Sequence, residues 1–160
     1  MKKVIMCSLD VSTKQTGFSV FVNGKYKESF ILDHTDNKDT ESRMVEMATD
    51  IITYLNKYKP IIVSIEDTFC GTNAAAMKKL SRLQGVVYGW CLINKADFNL
   101  YLPSSWRKEF GELFKGKKRQ ECKQLAIEYV KNKYNIDVND DEAESILIGE
   151  ATVIKYDGLV

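Results

Sequence analysis

The first third of the chain carries the pattern of buried strands joined by a tight turn. Residues 3–9 are almost continuously apolar, which is typical of a strand covered on both faces. Two further strand-like runs, residues 17–23 and 26–32, meet at Asn23-Gly24, a strong signal for a hairpin. The chain is therefore predicted to open with a three-stranded antiparallel meander.

Residues 40–58 change to the period of a helix, and a new apolar run, residues 61–65, follows Pro60. A helix between two buried strands is typical of a crossover connection, so the second strand is expected to run parallel to the first. The predicted inner face of the helix comprises Met44, Ala48, Ile51, Leu55 and Tyr58, widened by Val45 and Ile52.

The remaining pattern predicts helices at residues 73–94, 118–134 and 141–155, a strand at 97–102, and a short turn or helix opened by Pro103. The apolar side of the last helix comprises Ala143, Ile146, Leu147, Ala151 and Ile154. This order predicts an α/β fold, organised as one domain over residues 1–160. Its mixed five-stranded sheet has the first three strands antiparallel, the first and fourth parallel, and helices on its faces.

The composition predicts a soluble, cytoplasmic protein. The chain has 160 residues, of which 44% are apolar and 28% charged. No apolar run reaches the roughly 20 residues of a membrane span, and the run before Asp10 is too short for a signal peptide. The four cysteines form no Cys-x-x-Cys pair, which favours free thiols over a metal or redox site. The only histidine, His34, is expected on the surface.

A net charge of +1 conceals a strong asymmetry along the chain. Nine basic and four acidic residues lie between Arg107 and Lys133, whereas six acidic residues and no basic one lie between Asp137 and Glu150. A basic segment beside an acidic cluster indicates a polyanion partner held near a metal-binding centre. Two solvated surfaces would give the same pattern, so charge alone leaves both interpretations open.

Two acids directly follow the two strands that are predicted to be parallel, Asp10 after the first and Glu66 at the end of the fourth. The carboxyl ends of parallel strands meet at one edge of the sheet, where open α/β sheets bind ligands. Two carboxylates at a half-buried edge require a positive partner, which a divalent metal ion would supply. The alternative is a pair of solvated acids at the strand ends.

The start of the last predicted helix supplies further acids. Asp141 and Glu144 are three residues apart and therefore share one helix face. Acids in a first turn also cap a helix and complement its dipole, and Asp140 is the expected cap. With Asp10 and Glu66, this pair forms an all-oxygen ligand set suited to Mg²⁺, with Mn²⁺ as a substitute. Two such ions can activate a water and stabilise the leaving oxygen of a phosphodiester.

Three segments of the chain together match the motifs of one known family. The first is Leu9-Asp10-Val11-Ser12 with Thr16-Gly17-Phe18, an Asp followed by Thr-Gly-aromatic. The second runs from Glu66 to Ala74 and on to Gln84-Gly85-Val86. The third, residues 141–146, is similar to a C-terminal D-x-x-D helix. In this order and spacing the three segments resemble the motifs of the RuvC-type Holliday junction resolvases, and the short chain is most similar to the phage-encoded branch of that family.

The resemblance implies an RNase H-like fold, a homodimer, and paired Mg²⁺-dependent nicks across a four-way DNA junction in the cytoplasm of a bacterial host. It implies that two metal ions are bound by the family's four catalytic acids, which match Asp10, Glu66, Asp141 and Glu144. It also implies that Phe69 contacts junction bases and that basic residues approach the scissile phosphate. These match Arg107 or Lys108, and Lys117 or Lys118, of which Lys118 is taken as catalytic.

The residues themselves support DNA contacts of the same kind. Basic side chains between residues 107 and 123 would meet phosphates without reading sequence. Phe69 either stacks on an unpaired base or covers the end of a strand. Gly85 and Gly89 allow close approach of the sheet or of a second subunit. The predicted DNA-binding residues are Phe69, Lys78, Lys79, Arg82, Arg107, Lys108, Lys117, Lys118 and Arg119.

Two departures from the family pattern leave alternatives open. Glu144 stands where Asp is usual, so Asp140 could share its role, and Val11-Ser12 replaces a common Pro-Gly. A broader nuclease that cuts flaps and other branched DNA is therefore the second hypothesis. The third is a junction-binding protein without catalytic activity, whose acids serve only as helix caps.

Overall fold

The computed structural model describes residues 3–67 and 73–157. In these ranges the strands are β1 (Ile5–Asp10), β2 (Gln15–Val22), β3 (Lys25–Asp33), β4 (Ile62–Glu66) and β5 (Asp97–Tyr101). They form one mixed sheet in the order β3-β2-β1-β4-β5. β1 pairs antiparallel with β2 and parallel with β4, while β2–β3 is antiparallel and β4–β5 parallel. The predicted fold class is confirmed, including the crossover between the first and fourth strands.

The helices are α1 (Thr40–Tyr58), α2 (Ala74–Asn94), α3 (Pro103–Arg107), α4 (Arg119–Tyr134) and α5 (Asp140–Lys155), with a 3₁₀ turn at Lys108–Phe110. Asp39 and Asn73 cap α1 and α2 through their side chains. The cap of α5 is Asn139, whose Oδ1 accepts from the Glu142 main-chain nitrogen at 2.9 Å. The prediction that Asp140 caps this helix was therefore wrong, since Asp140 is its first residue. No described helix has both the length and the apolar character needed to cross a membrane.

One face of the sheet is covered by α1 and α2. Met44, Ile51 and Leu55 of α1 are buried there with Leu9 of β1, as predicted. The predicted widening of the α1 face was wrong, because Val45 is 66% exposed. Ile52 is exposed as well, and Met47 takes the inner position instead. Residues 44, 47, 51 and 55 follow the three- and four-residue spacing of one helical stripe, from which residues 45 and 52 are rotated away.

The opposite face packs against α5 through a row of polar residues that crosses all five strands. In the strand registers, Ser29 lies beside Ser19, Ser19 beside Ser8, Ser8 beside Ser64 and Ser64 beside Asn99. We call this set the polar row. Each member makes a hydrogen bond to α5 or to Tyr156, the residue that follows it. The row therefore fixes α5 across the strands by directional contacts as well as by apolar packing.

The α5 groups that contact the polar row belong to residues 142, 145 and 152, which are three and seven positions apart and therefore lie on one side of the helix. Ser29 Oγ donates to Glu142 Oε1 at 2.6 Å, and the Ser145 carbonyl accepts from Ser8 Oγ and Ser19 Oγ at 2.8 and 2.9 Å. Thr152 Oγ1 lies 2.8 Å from Ser64 Oγ. Four of the five residues predicted for the apolar side of α5 are buried, but Ile154 is half exposed and that assignment was wrong. Ile154 follows the last buried turn of the helix.

Candidate metal centre and cleft

Asp10 and Glu66 end adjacent parallel strands at the same edge of the sheet. Leu9 of β1 pairs with Ile65 of β4, so the next residue of each strand is an acid at the same level. Their side chains point to the face that carries α5, because residues 8 and 64 of the polar row point there and strand side chains alternate. Asp10 and Glu66 therefore lie on the same face as the polar row, two residues farther along their strands than Ser8 and Ser64.

α5 brings its first turn to this edge. Gly17 of β2, the Cα partner of Asp10, lies beneath the Asp141 main chain. Any Cβ at residue 17 would overlap the Asp141 carbonyl group, so a glycine is required for this close approach. Asp141 and Glu144 share one helix face beside the polar row and line the same cleft as Asp10 and Glu66. The structure thus brings all four predicted acids to one cleft.

The four acids strongly influence each other's ionisation. Burial, followed by the charges of Glu144, Glu66 and Asp141, raises the pKa of Asp10 well above its usual range. Burial and the charge of Asp140 raise the pKa of Asp141 to about 6. Burial likewise raises the pKa of Glu66, against the effect of a hydrogen bond from Trp106. Such a concentration of carboxyl groups is what a bound cation would neutralise.

Protein donors hold two of the acids. Trp106 Nε1 donates to Glu66 Oε2 at 2.6 Å, and Arg107 Nη2 donates to Glu144 Oε1 at 3.0 Å. Gln84 Nε2 donates to the Glu66 carbonyl oxygen at 3.0 Å. In residues 3–67 and 73–157, no three Asp, Glu, His or Cys side chains are arranged as a ready-made cage for an ion.

Asp140 is not part of the cleft lining formed by the described residues, and it forms an ion pair with Lys123 of α4. Burial alone would raise the pKa of Asp140, but the hydrogen bond and charge of Lys123 lower it overall. The expectation that Asp140 could share the role of Glu144 stays a prediction. In the structure this residue joins α4 to α5 beside the cleft.

The cleft has a volume of about 1020 Å³, and basic side chains from four helices line it. These are Arg43 of α1, Lys79 of α2, Arg107 of α3, and Arg119 and Lys123 of α4. Three of the predicted DNA-binding residues, Lys79, Arg107 and Arg119, are therefore in the cleft wall. α1 and α2 cover one face of the sheet and α4 packs with α5 on the other, so an extended anion that crosses the acids could contact basic groups from both faces.

The other predicted basic residues lie outside this cleft lining. Lys108, Lys117 and Lys118 are exposed, and Lys118 precedes α4 as its cap residue. Lys78 is exposed on α2, and Arg82 forms an exposed ion pair with Glu41 at 3.6 Å. Phe69 lies outside the described residues. Of the pair Arg107 and Lys108, only Arg107 reaches the acids.

Sequence reasoning did not identify Arg43, included Lys123 only within the basic range 107–123, and treated Trp106 as a packing residue. Arg43 is buried, and its guanidinium donates to the carbonyl oxygens of Thr13 and Asn37 at 2.9 and 2.8 Å. An arginine inside the apolar stripe of α1 was the available signal. Trp106 is fully buried as expected, but its indole also contacts Glu66, a partner 40 residues away in sequence.

Two smaller expectations are also resolved. His34 is partly buried rather than a free surface residue, because Nε2 lies 2.9 Å from Asp50 Oδ2 and Nδ1 lies 3.3 Å from Glu46 Oε2 of α1. The three described cysteines, at positions 7, 91 and 122, are buried free thiols, as predicted. Cys70 lies outside the described residues.

Comparisons with known proteins support the sequence resemblance. Crossover junction endodeoxyribonuclease RuvC of Citrifermentans bemidjiense and that of Geobacter sp. (strain M21) are each 27% identical to this chain over 90 residues. Each match covers 51% of this chain and 52% of the relative, so the chain spans about half the length of the curated relatives it matches.

Solved structures share the fold at low identity. The structure of T. thermophilus RuvC in complex with Holliday junction substrate matches with a TM-score of 0.74 and 11% identity, over 97% of this chain and 96% of that one. The yeast mitochondrial Holliday junction resolvase Ydc2 matches with a TM-score of 0.59 and 16% identity, over 92% and 77%. The sequence model of the family described as Crossover junction endodeoxyribonuclease RuvC matches residues 6–143. The chain therefore belongs to the RuvC family.

Proposed function

We propose that this protein is a metal-dependent endonuclease that resolves four-way DNA junctions by paired phosphodiester hydrolysis. The observation that carries the proposal is the convergence of Asp10, Glu66, Asp141 and Glu144 in a cleft with basic walls, in a chain of the RuvC family. The same family name describes its curated relatives, and one structural neighbour was solved with a Holliday junction substrate.

The donor set fits a hard divalent cation, Mg²⁺ with Mn²⁺ as a substitute. All four side chains offer carboxylate oxygens, and burial together with the charges of neighbouring acids raises the pKa values of Asp10 and Asp141, a cost that a bound cation would offset. When bound there, two such ions would activate a water and stabilise the leaving oxygen. Arg107 holds Glu144 through Oε1, which leaves Oε2 of that carboxylate to serve as a ligand oxygen.

The basic residues of the cleft supply the binding of the phosphodiester backbone. Arg119 and Lys123 project from the first turns of α4, while Arg43 and Lys79 line the cleft on α1 and α2. Contacts from these groups fix the position of a strand without reading its bases. Release of Arg107 from Glu144 would add a guanidinium close to the phosphate being cut. Lys118 can assist only from outside the cleft as the structure stands.

A homodimer is part of the proposal, since two symmetric nicks require two active sites. The exposed face of α2 supports it: Tyr88 is 49% and Leu92 is 62% exposed. A Cβ atom added at Gly85 or Gly89, on the same face, would meet no atom within 4 Å from beyond the neighbouring turns of α2 in the described part of the chain, so these glycines do not serve an approach to the sheet. A second copy of this helix could approach closely at both glycines.

A cleavage assay on a labelled four-way junction tests the function directly. We expect symmetric paired nicks in Mg²⁺, none in EDTA, and a dimer by analytical ultracentrifugation that Tyr88→Glu dissociates. If the protein cuts flaps as fast as four-way junctions, the result would favour the broader nuclease suggested by Glu144 and Val11-Ser12. Tight junction binding without cleavage in either metal would favour the non-catalytic alternative.

A further inference from the structure

Two consecutive residues of α3 each contact one of the four acids. Trp106 Nε1 donates to Glu66 Oε2 at 2.6 Å, and the Arg107 guanidinium pairs with Glu144 at 3.0 Å. The guanidinium carbon also lies 4.9 Å from the centre of the Trp106 ring. The short helix therefore connects Glu66 of β4 with Glu144 of α5. Its Trp106 contacts Glu66 directly and also contacts Arg107, the residue that pairs with Glu144.

The strand register explains why the indole is beside Glu66. Glu66 and Tyr101 are Cα partners across β4 and β5, and the Asp67 main-chain nitrogen donates to the Tyr101 carbonyl at 2.7 Å. Pro103 then opens α3, because its fixed backbone angle suits the first position of a helix. One turn later Trp106 returns to the level of the strand end where Glu66 lies.

Packing holds the indole in a single orientation. Trp106 is completely buried, and its ring contacts Phe110 and Phe114 edge-on with centroids 6.1 and 5.7 Å away. The indole N–H can only donate a hydrogen bond. The Glu66 side chain has three torsions and without this donor could adopt several rotamers at the end of its strand. A rigid donor on one oxygen limits that freedom.

We propose that Trp106 is a positioning residue for the metal centre. Its indole N–H binds Glu66 Oε2 and fixes the carboxylate so that Oε1 is presented to the cleft as a ligand oxygen. This inference rests on the proposed function, because it takes Glu66 to be a metal ligand. Hydrogen-bond partners behind a ligand usually contribute to metal affinity by about 10- to 100-fold.

The chain offers a matched control for the loss of this hydrogen bond. Trp90 of α2 is also buried, and its Nε1 donates to Asn56 Oδ1 at 2.8 Å, without contact to any of the four acids. Trp90→Phe and Trp106→Phe therefore make the same chemical change and remove one buried indole hydrogen bond each. Phenylalanine at position 106 keeps an aromatic face for Arg107 but is smaller than an indole, so the comparison with Trp90→Phe accounts for the lost ring volume while only Trp106→Phe removes a donor to one of the four acids.

The test is calorimetric titration of the full chain with Mn²⁺ in the absence of DNA. We expect Trp106→Phe to bind Mn²⁺ about 10-fold or more weakly than wild type, and Trp90→Phe to bind as wild type. Equal Mn²⁺ affinity in all three proteins would overturn the inference and leave the proposed function standing. A wild-type chain that binds no Mn²⁺ would overturn both.

Junction cleavage provides a second readout that a merely structural role would not change. In single-turnover assays, Trp106→Phe should require a higher Mn²⁺ concentration for half-maximal rate and recover most of the wild-type rate at saturation. A reduced rate with an unchanged metal dependence would overturn the inference. If Trp106→Phe unfolds, benzothienylalanine at position 106 keeps the bicyclic shape without the donor, and the same Mn²⁺ titration then decides.

Discussion

Gly17 lies so close to Asp141 that a Cβ atom on residue 17 would be 2.0 Å from the Asp141 carbonyl oxygen and 2.4 Å from its carbonyl carbon. Gly17 is also the Cα partner of Asp10 across β1 and β2. The missing side chain thus sets the distance between the first turn of α5 and the end of β1. Two of the four acids depend on it for their separation.

Gly17→Ala is expected to push the start of α5 away from the sheet. The contact is with main-chain atoms that cannot rotate away, so the free energy of unfolding should fall by about 1–3 kcal/mol, and Mn²⁺ affinity should fall with it. Urea unfolding and Mn²⁺ titration measure the two effects. Gly149→Ala is the comparator, because its Cβ would meet the Phe21 ring and Ser8 Oγ, which are side chains. Gly149→Ala should also lower the free energy of unfolding, but it should reduce Mn²⁺ affinity less than Gly17→Ala does. Wild-type Mn²⁺ binding by Gly17→Ala would contradict this account.

Asp10→Asn is expected to abolish Mg²⁺-dependent cleavage and to retain junction binding, since the basic walls of the cleft are untouched. In EDTA at pH 7 the same substitution should stabilise the fold. Burial and the three neighbouring carboxylates raise the pKa of Asp10, so its ionised form opposes folding, and asparagine carries no charge. Normal cleavage by the variant at saturating Mg²⁺ would remove Asp10 from the ligand set.

The pH dependence of this stabilisation has a defined sign. A carboxyl group whose pKa is raised on folding favours the folded state at low pH and loses that contribution as the pH rises through its folded pKa. Burial and the charge of Asp140 raise the pKa of Asp141 from 3.8 to about 6. Wild type in EDTA should therefore lose stability between about pH 4 and pH 7, and the advantage of Asp10→Asn should grow over the same range. Asp97→Asn, an exposed acid at the start of β5, is the control and should show no such growth.

The fold and the four acids could be predicted from the sequence because each depended on a local signal. Asp10 and Glu66 directly follow apolar runs, and the helix between those runs implied that the strands are parallel. Asp141 and Glu144 share a face by spacing alone. Trp106 gave no such signal, since an indole in an apolar segment is first a packing residue and its partner lies 40 positions away.

Errors arose where two local interpretations were equally good. Asp140 and Asn139 are both suitable caps, and only the backbone of the finished helix decides for Asn139. Val45 is as apolar as Met47, and the position of α1 over the sheet leaves Val45 in solvent. The polar row could not be predicted from the sequence for a different reason. Its serines lie on separate strands, and only the registers align them.

Arg119→Ala is expected to reduce the salt dependence of junction binding. Arg119 lines the cleft, and its charge partly opposes the burial that raises the pKa of Glu66, so it faces the path of the backbone. Loss of one phosphate contact should flatten the slope of log affinity against log salt by about one unit. Lys131→Ala is the control, because Lys131 near the far end of α4 pairs with Asp137 at 2.8 Å. Lys118→Ala, measured alongside, tests whether the exposed residue before α4 reaches a phosphate; an unchanged slope would exclude it.

Ser8 and Ser19 should show strong coupling in a double-mutant cycle. Their Oγ atoms lie 2.6 Å apart, and both approach the Ser145 carbonyl oxygen. Either alanine substitution leaves one hydroxyl donor for that carbonyl and should cost about 1 kcal/mol of unfolding free energy. The double variant leaves none, so its loss should exceed the sum by about 0.5 kcal/mol or more.

The pair Ser8 and Ser64 separates this effect from mere proximity. These residues are also neighbours in the register, but Ser64 Oγ bonds to Thr152 instead of the Ser145 carbonyl. Ser8→Ala and Ser64→Ala should therefore be nearly additive in urea unfolding. Additivity in the Ser8–Ser19 cycle would mean that the shared carbonyl contributes little, and that apolar packing alone holds α5 over the sheet. Coupling confined to Ser8 and Ser19 would identify that carbonyl as the point where the helix is fixed, one step below the acids.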